Sequence, residues 1–222
     1  MTTLVPAIIP ENFNHLHDEV AKVKDCVTLV QVDICDGSFV KSKMWPYRND
    51  GGEFEGLLRQ DMGLPFWEDV DYEFHLMVET PEKYVEDWIT IGASSIIVHV
   101  ETVTDMNMIS TLCKASEVSL GLAIKPSTES ILLAPYMEMI DFVQCMGGDN
   151  LGHHGETLDP SVYEKIKQLR EMYPELIIAI DIGVNRETAP LLVKAGVNKL
   201  VSGGAVFESK NIIESVEYFQ SL

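Results

Sequence analysis

Apolar residues fall in short runs separated by amphipathic stretches, and the alternation holds along the chain. Runs rich in β-branched residues occur at 5–9 (VPAII), 27–34 (VTLVQVDI), 72–78 (YEFHLMV), 95–100 (SIIVHV), 119–124 (SLGLAI), 140–145 (IDFVQC), 176–182 (LIIAIDI) and 199–202 (KLVS). Near-continuous apolar runs of this length suit strands buried on both faces. Helix-like segments lie between them, near 12–24, 53–62, 81–91, 105–115, 128–137, 160–172, 185–195 and 211–221. Thr80-Pro81 and Asp159-Pro160 each put a capping residue before proline at a first helical position. Gly92 and Gly196 stand where helix C-caps belong.

Strand–helix alternation predicts an α/β chain with a parallel sheet and right-handed crossovers. Eight repeats in 222 residues fit a closed (β/α)8 TIM barrel occupying 1–222 as one domain. A doubly wound open sheet is the alternative. No GxGxxG follows the first strand, so no nucleotide cofactor is expected.

Alternate residues of a barrel strand face the interior, and the last inward ones build the active site. In strand two Thr28, Val30, Val32 and Ile34 form an apolar face for the helices, which turns Gln31, Asp33 and Cys35 inward. The same sorting turns His75 and Met77, His99 and Glu101, Lys125, Gln144 and Met146, and Asp181 inward. Polar groups at such positions are costly unless paired. One reading is a satisfied hydrogen-bond network; the other is an active site.

Asp33 and Asp181 come from strands two and seven, so a substrate across the mouth would have one carboxylate on each side. That arrangement suits a general base and a general acid working on opposite faces, as epimerisation beside a carbonyl requires. The enediolate it passes through needs donors or a metal. His75 with Asp33 and Asp181 is a credible divalent-metal set of nitrogen and oxygen ligands, with Gln31 beside it. The loops after strands seven and eight carry Gly183, Gly203 and Gly204, which allow a phosphate to approach the backbone or simply serve turns.

Charge narrows the partners. Thirty-five acidic residues face 16 basic ones, a net charge of −19. No nucleic-acid or anionic-membrane partner is expected from such a surface. The start, MTTLVPAIIPENF, lacks the features of a signal peptide, and no run reaches the ~18 apolar residues of a membrane span. Cys26, Cys35, Cys113 and Cys145 form no metal or redox spacing. A reduced, cytoplasmic setting is expected. The segment 41–70 is long and aromatic, with Trp45, Tyr47, Phe66 and Trp67, and suits either a lid or an oligomer contact; a homo-oligomer is expected.

Four motifs carry a resemblance. Q-V-D-I-C-D-G-S-F-V (31–40) resembles the H-[LV]-D-[VI]-M-D-G-x-F-V segment of the ribulose-phosphate 3-epimerases. F-H-L-M-V-E-T-P-E-K-Y (74–84), I-D-I-G-V-N (180–185) and V-S-G-G-A-V-F (201–207) are similar to that family's other signatures, in the same order. The resemblance implies a phosphate-binding barrel that interconverts D-ribulose 5-phosphate and D-xylulose 5-phosphate. It implies two aspartates exchanging protons at C3 and a divalent metal (Zn, Mn or Fe) held by those aspartates and two histidines. Asp33, His75 and Asp181 match three of these groups, and Met77 and Met146 match site-lining methionines.

The departures are specific. Gln31 replaces the other metal-binding histidine, and a neutral amide is a weaker ligand for zinc-like ions. Ala7 replaces a serine, Cys35 a site methionine, Ile182 a glycine and Lys125 an asparagine. Leu151-Gly152-His153-His154-Gly155 replaces a phosphate-gripping G-F-G-G-Q. The sequence therefore predicts a carbohydrate epimerase acting on a ketose phosphate, with Asp33 and Asp181 catalytic. Its alternatives are a lyase or isomerase using Lys125 and a non-catalytic sugar-phosphate binder.

Overall fold

The computed structural model describes residues 2–153 and 155–222. Eight parallel strands close into a barrel in sequence order, each joined to the next and the last to the first. They are β1 (Thr3–Ile8), β2 (Leu29–Cys35), β3 (Asp71–Met77), β4 (Ser95–His99), β5 (Ser119–Ile124), β6 (Phe142–Met146), β7 (Ile177–Asp181) and β8 (Lys199–Ser202). The TIM-barrel expectation is met, and the open sheet is excluded.

The connecting helices are α1 (Phe13–Val23), α2 (Glu53–Leu58), α3 (Val85–Thr90), α4 (Met106–Ala115), α5 (Ser161–Met172), α6 (Ala189–Ala195), α7 (Gly204–Phe207) and α8 (Ile212–Gln220). Several begin where a short polar side chain takes up a free backbone N–H. Asn12 accepts from the His15 amide at 2.9 Å and Asp105 from the Met108 amide at 3.0 Å. Asp159 accepts from the Ser161 amide at 2.8 Å. Thr80 makes no such bond, and Pro81–Lys83 is a short 3-10 turn. Helix 128–137 is instead a 3-10 segment, Ser130–Tyr136, with Pro135 inside it. Proline lacks the N–H an α-helical turn would use there. Gly92 and Gly196 have φ of 106° and 121°, the left-handed closures predicted for them.

Two apolar layers result from the strand alternation. Val30, Val32, Ile34, Phe74 and Leu76 pack outward against the helices. Cys35, Met77, Ile97, Phe142, Met146 and Ala179 fill the barrel interior. Below them lies a buried ion pair. Lys199 Nζ donates to Glu73 Oε1 at 2.7 Å, and Ser95 donates to Glu73 Oε2 at 2.8 Å.

Most aromatics of 41–70 serve packing. Trp45 is fully buried, 5.4 Å from Phe13 and 6.3 Å from Trp88 between ring centroids. Its amide donates to Pro10 O, and the Met44 amide to Cys35 O. These bonds tie the segment to the ends of β1 and β2. Trp67 stays 63% exposed.

Candidate functional site

The inward residues at the C-terminal strand ends meet in one buried cluster. Strand register sets Asp33 of β2 opposite His75 of β3, and Met146 of β6 opposite Asp181, the last residue of β7. Gln31 Nε2 donates to Asp33 Oδ1 at 2.9 Å and to Asp181 Oδ2 at 3.0 Å. His75 Nδ1 lies 3.0 Å from Asp33 Oδ1 and 3.6 Å from Asp181 Oδ2. The two carboxylates therefore do not stand far apart across the mouth; their near oxygens share an amide nitrogen and an imidazole nitrogen. Asp181 Oδ1 takes the Ile182 amide at 2.8 Å, and Gln144 Nε2 reaches Asp181 Oδ2 at 3.4 Å.

The cluster continues along the end of β4. His75 Nε2 lies 2.9 Å from His99 Nε2, and His99 Nδ1 lies 3.0 Å from Glu101 Oε2. Both imidazoles are wholly buried. Phe39 covers His99 at 5.0 Å between ring centroids.

Burial is the main reason the Asp181 carboxyl is pushed up to about 7, and the charge of Asp33 adds to it. Burial opposes a charged His75, but its bond to Asp33 and the charges of Asp33 and Asp181 outweigh that and raise it. Burial lowers His99 to about 4, against the pull of Glu101. Burial alone would raise Glu101, yet its bonds from His99, the Lys125 amide and Thr128 take it to about 2. Burial pushes the Cys35 thiol up, with Asp33 and Asp36 adding, so it is a packing group and not a nucleophile.

One nitrogen of His75 and one oxygen from each of Asp33 and Asp181 lie within 4.8 Å of one another, a set that could hold a metal ion. Gln31 Oε1 is buried beside them without a partner. An imidazole, two carboxylates and a spare amide oxygen fit a divalent cation.

Above the cluster opens a cavity of about 310 Å³. Asp33, Asp181, Met77 and Met146 line one part of it, and Gly183, Gly203 and Gly204 another. Gly204 starts α7, where helix N–H groups have no partners within the helix. No lysine or arginine is among the described lining residues, whereas Glu156 and Glu208 are. Gly183 has φ of 73°, and a Cβ there would come within 2.7 Å of the Leu158 backbone nitrogen.

Cys35 and Lys125, sorted inward from the sequence, do not line the cavity. Cys35 is fully buried, its Sγ 4.0 Å from Met77 Sδ. The Lys125 ammonium sits 4.0 Å over the Phe39 ring, and only the Lys125 backbone N–H meets Glu101, at 2.9 Å. His153 is exposed on the cavity rim; His154 lies outside the described residues.

The sequence reading missed Phe39 as a cover for His99, although it lies inside the 31–40 motif. It also missed Glu208, one helical turn beyond Gly204. Ile182 takes φ of 79°, a left-handed conformation that its residue type argues against.

A model of the "Ribulose-phosphate 3 epimerase family" matches residues 3–207. Ribulose-phosphate 3-epimerase of Bacillus subtilis is 32% identical over 216 residues, covering 93% of each chain. That of Synechocystis sp. is 31% identical, covering 96% of this chain and 90% of the relative. KGPDC from Streptococcus mutans superposes with a TM-score of 0.72 over 99% of this chain and 96% of that one, at 13% identity. A 3-hexulose-6-phosphate synthase from Salmonella typhimurium also superposes at 0.72, with 11% identity, 99% of this chain covered and 97% of that one. These structural likenesses establish the fold alone.

Proposed function

The chain belongs to the ribulose-phosphate 3 epimerase family and is a carbohydrate epimerase, and from that premise we propose that Asp33 and Asp181 invert C3 of a pentulose phosphate such as D-ribulose 5-phosphate. The observation that carries the assignment is the carboxylate pair itself. Asp181, raised to about 7 beside the charge of Asp33, keeps a proton near neutrality in a site open to the cavity. One carboxylate accepts the C3 proton while the other, protonated, delivers its own to the opposite face. The electron pair left by the C–H bond moves onto the adjacent carbonyl oxygen, giving an enediolate. In the reverse reaction the two exchange roles.

Asp33, His75 and Asp181, with the Gln31 carboxamide beside them, would hold a divalent metal, which supplies Lewis-acid stabilisation of the enediolate. His75 keeps one nitrogen turned to both carboxylates and restrains their near oxygens. Met77 and Met146 give the reacting carbons an apolar wall. Backbone N–H groups around Gly183, Gly203 and Gly204 receive the phosphate, the recognition open to a cavity with no lysine or arginine among its described lining residues. Lys125 as a Schiff-base lysine finds no support, since its ammonium rests on Phe39.

The test is proton NMR of D-ribulose 5-phosphate with the protein in D2O, with and without added Mn²⁺ or Zn²⁺. Loss of the C3 proton signal with appearance of the epimer is expected. Asp33→Asn and Asp181→Asn should each slow exchange by about 10²–10⁴-fold. No exchange under any of these conditions would remove this substrate.

A further inference from the structure

Beside the carboxylate pair, the line Asp33–His75–His99–Glu101 has contacts of 3.0, 2.9 and 3.0 Å. Its middle contact joins two Nε2 atoms, so one imidazole must donate and the other accept. Which one donates is decided at the far end. Glu101 Oε1 already takes the Lys125 backbone N–H at 2.9 Å, and its Oε2 faces His99 Nδ1. A carboxylate has only acceptors to offer, so His99 Nδ1 carries a proton and donates it. A neutral His99 then has only a lone pair at Nε2, and His75 Nε2–H must supply the bond. The lone pair of His75 Nδ1 is thereby turned to Asp33 and Asp181. At that position it takes either a proton shared with Asp33 or a divalent cation.

We propose that Glu101 and His99 are positioning residues that impose this direction, holding His75 in the tautomer whose Nδ1 serves the reaction centre. The proposal rests on the reading of Asp33, His75 and Asp181 as that centre. It assigns a task to two residues that touch neither the cavity nor the substrate position. Phe39 over His99 shields the middle of the line from water.

Glu101→Gln tests the direction at constant shape. The glutamine must keep its single oxygen on the Lys125 N–H, because a buried backbone donor without a partner is costly. Its NH₂ then faces His99 Nδ1 as a donor, and the whole line reverses. His99 becomes the Nε2–H tautomer, His75 accepts at Nε2, and His75 Nδ1 is left with a hydrogen in place of its lone pair.

The measurement is long-range ¹H–¹⁵N correlation of histidine-labelled full chain without metal, followed by Zn²⁺ titration calorimetry. His99 should be protonated on Nδ1 alone in the parent and on Nε2 alone in Glu101→Gln. Zn²⁺ affinity should fall by about 10–100-fold, the usual effect of losing an outer hydrogen-bond partner. A parent His99 protonated on Nε2 alone overturns the proposal without need of any variant. So does a Glu101→Gln protein with unchanged tautomers and unchanged Zn²⁺ affinity. A parent with the expected tautomers that binds no Zn²⁺ supports the donor line and sinks only the metal reading.

Discussion

The Gln31 amide nitrogen sits 2.9 Å from Asp33 Oδ1, and the same nitrogen reaches Asp181 at 3.0 Å. Two like-charged groups at this separation need something positive between them. In this chain the two N–H bonds of a neutral amide supply it together with the His75 imidazole. Replacing Gln31 with leucine removes both donors. We expect Asp181 to titrate above about 7, with the corresponding limb of the pH–rate profile moved upward. Gln31→His adds a second imidazole to the set and should tighten Zn²⁺ binding by about tenfold or more, read by calorimetry.

Asp181 also ties stability to pH. Its carboxyl rises from 3.8 to about 7 on folding, so the folded state binds more protons than the unfolded state between those values. Its own contribution to the stability of the metal-free protein should therefore fall as pH rises from about 4 to 7 and level off above, against the rise that His99, lowered from 6.5 to about 4, gives over much of the same range. Asp181→Asn removes the buried charge that forms above pH 7. It should raise the Tm measured at pH 8 while slowing C3 exchange by about 10²–10⁴-fold. An unchanged or lower Tm would mean that Asp181 is not held up by burial.

The phosphate end carries an electrostatic cost. Glu208 lines the cavity with Gly203 and Gly204, and no lysine or arginine offsets it there among the described residues. Glu208 is exposed, so the effect is modest and screened by salt. Glu208→Gln should lower KM for a phosphorylated substrate about two- to threefold at low ionic strength, leave kcat unchanged, and lose its advantage as salt is added. Steady-state kinetics over a salt series checks this.

The barrel and the carboxylate pair were legible because parity along a parallel strand is rigid. Val30, Val32 and Ile34 had to meet helices, and Asp33 then had to point in. Parity gives a face and not a depth. Cys35 shares the Asp33 face, yet the covering segment places Val40 and Met44 around it and Gly152 above. Lys125 lies past the end of β5, where loop geometry replaces alternation. Glu73 has the parity of His75, but its partner Lys199 is 126 residues away, beyond any local pattern.

That Glu73–Lys199 pair predicts a pure stability effect. Glu73 is wholly buried, and Glu73→Gln strands most of a buried ammonium. Removing one partner of such a pair costs about 3–5 kcal/mol. Glu73→Leu with Lys199→Met should recover most of that loss, because neither charge then remains. Urea denaturation should show the single variant far less stable than the double, with C3 exchange per folded molecule equal in both.

Ile182 is the local exception to good backbone chemistry, and its position argues for a task. It follows Asp181 directly, and its amide holds Asp181 Oδ1 at 2.8 Å. A β-branched side chain at φ of 79° costs about 1–2 kcal/mol. Ile182→Gly relieves that strain but gives up the packing of a half-buried isoleucine and adds freedom to the unfolded chain by about 0.4–1 kcal/mol. These effects nearly cancel, so urea denaturation should show a change within about 1 kcal/mol of zero. Ile180→Ala, one strand position before Asp181 and wholly buried at ordinary φ, should cost about 2–5 kcal/mol in the same assay. The functional cost falls elsewhere. With glycine at 182 the chain beside Asp181 gains conformational freedom, and the carboxylate is held less firmly. C3 exchange should slow in kcat more than in KM, although the altered residue takes no part in the proton transfer. A full-speed Ile182→Gly enzyme would show that the strained turn does not position Asp181.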